Sequence, residues 1–293
     1  MNYNKHIFIY LHIHIKMKAK FLFFIILITS SFICFINKGQ NNIESKKNIY
    51  TPDLELILDS SKVIGSIMVY DAQKQLYYSN DFKWANTGRL PASTFKIANS
   101  IIALETGVVE DENSLFKWDG KKRKLSSWEK DLSLTEAFHA SCVPCYQEIA
   151  RKIGSQRMKM YLNKLSYGNM IVDSNTIDLF WLEGKSKISQ VQQIDFLRRF
   201  YFSQLPISKR TEQIMKKLIV TDSTDLYTIS GKTGWAIRNG NNNGWFVGYI
   251  ETATNVYFFS INITPTKTFN MDMFPMIRKE ITLKALKKLG IIH

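Results

Sequence analysis

Apolar and polar side chains alternate through Ile64-Gly65-Ser66-Ile67-Met68-Val69-Tyr70 and resume at Leu76-Tyr77-Tyr78, across Asp71-Ala72-Gln73-Lys74. A period of two on both sides of a turn predicts a β-hairpin. Pro91 then precedes a run from Ser93 to Glu105 in which Phe95, Ile97, Ala98, Ile101, Ile102 and Leu104 leave almost no polar face, with Gly107 just beyond. That pattern predicts a buried central helix with a glycine stop. From 110 to 220 the spacing is helical, at Leu134–Phe138, Tyr146–Ile153, Gln156–Leu165 and Ile194–Leu205. The period of two returns at Tyr227–Ser230, Gly244–Glu251 and Val256–Ile263, with Asn239–Asn243 expected as a turn and Pro275–Leu289 as a closing helix. Strands from both chain ends with helices between them predict an α/β fold of layered α+β type. Its sheet is expected to be antiparallel, with a helical lobe (about 110–220) inserted between its halves.

Residues 1–36 change the picture of the N-terminus. Lys16, Lys18 and Lys20 precede the apolar run Phe21–Ile28, which continues through Ser30 and Ser31 to Ile36. A basic start with a short, serine-broken apolar core predicts a secretory signal rather than a membrane span. Translation from Met17 and cleavage near 31–40 are the expectations, followed by a linker at 37–52 and one catalytic domain at 53–293. Export to the periplasm follows, with lipid attachment at Cys34 the minority alternative because Ser31-Phe32-Ile33 is a poor lipidation context.

The formal charge is +14, and removing the four lysines of residues 1–36 leaves +10. Such a balance favours anionic partners. Lys121-Lys122-Arg123-Lys124 lies between Trp118-Asp119-Gly120 and Ser126-Ser127-Trp128 and is expected to be a solvated loop, so nucleic acid is not an expected partner. Cys142 and Cys145 form a C-x-x-C in a helical context, without the histidines a zinc site needs. Two buried small residues flanking a turn is the favoured reading, with a local disulfide as the alternative, and no metal is expected.

Elimination narrows the chemistry. Beyond the signal region only His139 and the terminal His293 remain, so a serine-histidine triad would rest on His139 alone. Ser93-Thr94-Phe95-Lys96 offers a different base, since residues three apart share a helix face. The same S-x-x-K spacing recurs at Ser114/Lys117 and Ser127/Lys130, but only the Ser93 pair sits in an apolar setting. Burial disfavours the charged amine and makes lysine available as a base. Downstream, Lys232-Thr233-Gly234-Trp235 occurs on an edge-like strand, with a cation, a hydroxyl and a glycine permitting close approach.

Serine-x-x-lysine followed by K-T-G is shared by β-lactamases and penicillin-binding proteins. With Ser141-Cys142-Val143, Tyr167-Gly168-Asn169, Phe180-Trp181-Leu182-Glu183-Gly184 and Arg278, the chain resembles the class D, oxacillinase-type, serine β-lactamases over about 50–293. Cys145 and Trp235 stand where that family commonly has other residues. The resemblance implies a β-lactamase/transpeptidase-like fold and hydrolysis of β-lactam antibiotics through an acyl-enzyme. It implies that Ser93 is the nucleophile and Lys96 an N-carboxylated general base, formed from carbon dioxide or bicarbonate and steadied by Trp181. Ser141 would relay a proton, and Ser93 and Trp235 would give the oxyanion hole. Lys232, Thr233, Gly234 and Arg278 would receive the substrate carboxylate, with Val143 and Leu182 as an apolar wall. No other cofactor is implied, and the expected state is a monomer or homodimer. A penicillin-binding protein or a non-catalytic β-lactam sensor is the alternative.

Overall fold

A computed structural model describes residues 47–292. The expected signal segment 1–36, Met17, Cys34, the linker residues before Lys47 and His293 lie outside the described residues. The chain opens with β1 (Lys47–Tyr50), α1 (Asp53–Ser60), β2 (Val63–Asp71), β3 (Leu76–Ser79) and α2 (Phe82–Asn86). A 3-10 turn, Ala92–Phe95, leads into α3 (Lys96–Glu105). A two-residue ribbon, β4 (Leu115–Phe116) and β5 (Leu132–Ser133), precedes α4 (Leu134–His139), α5 (Val143–Ile153) and α6 (Ser155–Leu165). After α7 (Gln190–Tyr201) and α8 (Lys209–Leu218) come β6 (Val220–Ser223), β7 (Tyr227–Arg238), β8 (Asn241–Thr252), β9 (Val256–Pro265) and α9 (Phe274–Lys288).

Seven strands form one sheet in the order β1-β3-β2-β9-β8-β7-β6. β2 and β9 join the two chain ends antiparallel, with Ile67 opposite Ile261. The period of two sorts the side chains onto two cores. Ile67, Phe259 and Ile261 meet Leu54 and Leu58 of α1 and Ile281 of α9 on one face. Met68, Val247, Tyr249 and Phe258 meet the helical lobe on the other. In that lobe α3 is enclosed all round, as its nearly continuous apolar run predicts, and it takes Asn99 and Ser100 into the core with it.

Several boundaries differ from the sequence pattern for definable reasons. The last residues of the expected linker form β1, which pairs with β3 in parallel, so the sheet is not wholly antiparallel. Four residues are too few to display a period. Asn239–Asn243 contracts to Asn239-Gly240, with φ of 49° and 75°. Two positive φ values make a two-residue hairpin turn, for which Asn-Gly is the preferred pair. Cross-strand pairing therefore carries β7 to Arg238 and starts β8 at Asn241, despite the poor strand propensity of three asparagines. The helix expected at 194–205 begins earlier, where Ser189 and Gln192 form a capping box. Helix α8 was not separately anticipated. The central helix is 3-10 through Ser93 and becomes α-helical only at Lys96.

Candidate active site

The turn carrying Ser93 is held from several sides. Ala92 has φ 51°, a left-handed conformation costing a non-glycine residue about 1–2 kcal/mol. Its N–H donates to Trp181 O at 2.9 Å. Thr94 Oγ1 donates to Pro91 O at 2.7 Å and accepts from Gln193 Nε2 at 2.8 Å. Leu90 O accepts from Asn243 Nδ2 and Trp245 Nε1, both at 2.9 Å. The sheet and α7 thus fix the strained turn and leave Ser93 half-buried at its apex.

Lys96 lies one turn on and is fully buried, with Nζ donating to Ser93 Oγ at 3.3 Å. Its amine faces the ring of Tyr146, 4.7 Å from the centroid. Burial, with the Lys232 charge adding to it, holds this amine well below the usual lysine range. Trp181 is also fully buried, packed on Phe95 with centroids 5.3 Å apart, and its Nε1 has no hydrogen-bond partner among the described residues. An unpaired buried donor costs about 1–3 kcal/mol, which an acceptor at that position would recover.

Strand β7 forms the opposite wall. Its pairing with β6 ends at Ser230, and Gly231 N–H donates to Ile219 O on that side. Two-residue alternation sends the Trp235 N–H the same way, past the end of β6 toward the Ser93 turn. Gly234 brings the backbones together: a Cβ there would lie 3.0 Å from Pro91 O and from Thr94 Cγ2. Lys232 points into the lobe, its Nζ donating to Thr233 O at 3.2 Å and lying 5.6 Å from the Phe138 centroid. Burial, then the charges of Arg278 and Lys279, lower its pKa to about 7. Arg278 is buried, donates from Nη1 to Gly234 O at 2.7 Å, and has its pKa lowered to about 10 by burial. Lys232 and Arg278 are thus close enough for their charges to interact where the described residues supply no buried carboxylate, a setting suited to an anion.

Ser141 is delivered by the end of α4. Cys142 N–H donates to Ala137 O at 2.9 Å and Ser141 N–H to Phe138 O at 3.1 Å, the paired bonds of a Schellman stop. Ser141 takes the left-handed position of that motif, with φ 55°. Cys142 is at once the residue beyond that stop and the N-cap of α5. The segment Ser141-Cys142-Val143 is therefore bracketed by Phe138 at Lys232 and Tyr146 at Lys96. Cys142 and Cys145 are both buried and joined by a disulfide, so the alternative reading holds in place of two unlinked residues.

The penicillin binding protein transpeptidase domain matches residues 60–283. β-Lactamase OXA-10 of Pseudomonas aeruginosa is 45% identical over 233 residues, covering 78% of this chain and 86% of that protein. β-Lactamase OXA-48 of Klebsiella pneumoniae is 42% identical over 228 residues, covering 78% and 84%. The crystal structure of a class D β-lactamase from Sebaldella termitidis superposes with a TM-score of 0.80 at 39% identity, covering 85% of this chain and 100% of that one. The chain belongs to the class D β-lactamases.

Within this class D β-lactamase the rival serine-lysine pairs separate clearly. Lys117 is exposed and paired with Asp131, and Lys130 with Glu136, whereas Lys96 is enclosed. The Lys121–Lys124 run is solvent-facing, with Lys121 and Arg123 paired to Asp119 and Lys122 to Glu129. Trp235 packs its indole edge-on against Phe274 with centroids 5.1 Å apart, donates to Asn242 Oδ1 at 2.8 Å and has the Arg278 guanidinium 6.0 Å from its ring. Val143 and Leu182 are half-buried beside Cys142 and Trp181. Tyr167 is buried with its ring centroid 5.8 Å from that of Phe95, and Asn169 bridges to Lys187, which places this triplet in the wall behind the Ser93 turn. The pKa of His139 is lowered by burial and by the Lys232 and Lys279 charges. Tyr146 and Gln193 went unnoticed in the sequence. Gln190 and Gln193, three apart on the apolar Ile194/Leu197 face of a helix, were a readable signal of buried polar work. For Tyr146 no local signal existed.

Proposed function

We propose that this chain hydrolyses β-lactams through an acyl-enzyme on Ser93, with Lys96 carboxylated at Nζ. The observation carrying the reading is the enclosed Lys96 amine 3.3 Å from Ser93 Oγ, beside a Trp181 Nε1 that lacks an acceptor. A neutral amine can add to carbon dioxide, and a charged one cannot. A carbamate there would supply an anionic general base inside an apolar pocket, with Trp181 Nε1 the donor available to hold it.

Ser93 attacks the lactam carbonyl carbon as its proton departs toward the Lys96 side. Negative charge developing on the carbonyl oxygen meets the N–H groups of Ser93 and Trp235, each donor of this kind being worth roughly 3 kcal/mol. Ser141, fixed at the end of α4, passes a proton to the departing lactam nitrogen. Lys232, Thr233 and Arg278 receive the substrate carboxylate beside Gly234, and Val143 and Leu182 restrict water around Lys96. Water then cleaves the ester on Ser93. The basic-then-apolar segment 1–36 supports export, which N-terminal sequencing of envelope-derived enzyme tests.

Steady-state assay with a chromogenic cephalosporin tests the main reading. Many turnovers per chain are expected, with kcat falling by about 10²–10⁴ in Lys96→Ala. A single stoichiometric burst would instead identify a penicillin-binding protein or a sensor and defeat this proposal.

A further inference from the structure

The mechanism leaves Cys142 and Cys145 unused, yet their bond closes the first turn of α5 immediately beside Ser141. The two sulfurs are unequal. Cys145 is 9% exposed against 1% for Cys142, and both line a cavity of about 230 Å³ whose charged lining is cationic in balance, with Lys117, Arg123, Lys130 and Arg151 against Asp119 and Glu148. Cys142 Sγ accepts the N–H of Cys145 at 3.2 Å, at the N-terminus of an eleven-residue helix. A thiolate released at Cys142 therefore keeps a backbone donor and the positive end of the helix dipole. Cys145 is the more exposed residue of the pair, and Cys142 is the better leaving group.

We propose that Cys142–Cys145 is an exchange site for small anionic thiols, entered at Cys145, whose reduction slows the step that uses Ser141. The incoming thiolate forms a bond to Cys145 Sγ while the Sγ–Sγ bond breaks, and the electron pair leaves on Cys142. A second thiolate attacks the sulfur of the first, forming the oxidised small-molecule disulfide and freeing Cys145. Two thiols are oxidised, and the protein takes up two electrons and two protons. The linkage to rate is geometric. Ser141 is held in a left-handed conformation between the α4 stop and the Cys142 cap, and the disulfide clamps one side of that hinge. Without the clamp the hinge can relax toward ordinary φ values. Because the rate effect acts through Ser141, it rests on the function proposed above, whereas the exchange chemistry does not.

The test incubates the oxidised full chain with reduced glutathione, quenches by alkylation and locates adducts by fragmentation mass spectrometry, which separates this pair from Cys34. The expected adduct is on Cys145, and kcat for the chromogenic cephalosporin should fall about tenfold, short of the roughly hundredfold a misplaced group can cost. KM and the circular-dichroism spectrum should hold, and oxidised glutathione should restore the rate. Cys145→Ser should show one rate with or without glutathione. A bond that survives glutathione in the folded chain, an adduct mainly on Cys142, or exchange without a change in kcat would each overturn the proposal. An oxidised chain with no turnover would defeat the proposed function instead, while the adduct map would still decide the exchange.

Discussion

At the scale of single residues, the proposed carbamate rests on two features, a buried Lys96 amine whose pKa is held well below the usual lysine range and a Trp181 donor without an acceptor among the described residues. Trp181→Phe keeps most of the ring packed on Phe95 and removes only the donor. A hydrogen bond to a charged group contributes about 1.5–3 kcal/mol, so carbamate occupancy should fall roughly 10–100-fold. Carbon-13 bicarbonate should give a carbamyl-lysine NMR signal in the parent protein and a much weaker one in the variant. Variant turnover should then climb with added bicarbonate. Full signal and turnover at ambient carbon dioxide would show that the indole N–H holds nothing. Ser93 and Lys96 were legible from the chain because residue type, spacing and apolar context coincide within four positions. Trp181 was named only through family likeness, since nothing local distinguishes a core tryptophan from one beside the base. Tyr146 and Gln193 reach the site through folding alone, Tyr146 from 50 positions away to within 4.7 Å of the Lys96 amine and Gln193 from 99 positions away to a hydrogen bond with Thr94.

At the scale of elements, the site is the seam between the free edge of β7 and the 3-10 turn before α3. Gly234 sets the width of that seam, because an added Cβ would press on Pro91 O and Thr94 Cγ2 at 3.0 Å. The Ser93 turn cannot easily retreat, tied as it is to Trp181 O, Gln193 and two donors on Leu90 O. Gly234→Ala should therefore move β7 by a few tenths of an ångström and displace the Trp235 N–H from the oxyanion. The expected result is a kcat loss of about tenfold or more, with a much smaller change in thermal midpoint. Loss of the cooperative unfolding transition would mean that the glycine serves folding rather than catalysis. The elements meeting at this seam were readable where they carry a long period, as α3, β8 and β9 do. They were misjudged where pairing or capping decides: β1 is visible only beside β3, β7 extends because Asn239-Gly240 closes a hairpin, and α7 starts at a capping box.

Across the whole molecule, the fold holds Lys96 and Lys232 away from water within one lobe of a chain that is already strongly cationic. Lys232 has a folded pKa of about 7 against an ordinary value of 10.5, and Lys96 is shifted the same way. Between about pH 7 and 10.5 the unfolded chain keeps a proton on Lys232 that the folded chain has lost, and the lowered Lys96 moves the balance in the same direction. Stability must therefore rise with pH in that window, by up to about 1.4 kcal/mol per pH unit for each proton. Above about pH 10.5 the trend reverses, since burial pushes Tyr77 and Tyr201 up to about 12 and also raises Tyr146, Tyr167 and Tyr249, and these tyrosine protons outnumber the one that Arg278 loses in the folded state. Bicarbonate changes the count. A carbamate on Lys96 would place a negative charge near Lys232 and favour its protonated form in the folded state, removing the Lys232 share of the proton difference. Urea midpoints measured from pH 7.5 to 9.5 should climb steeply in carbon-dioxide-free buffer and less steeply with bicarbonate. At the low end of the range the bicarbonate sample should be the more stable, because the added group binds only the folded chain. Identical slopes in the two buffers would mean that the lysines do not share a carbamate-coupled site, whatever the activity assay reports.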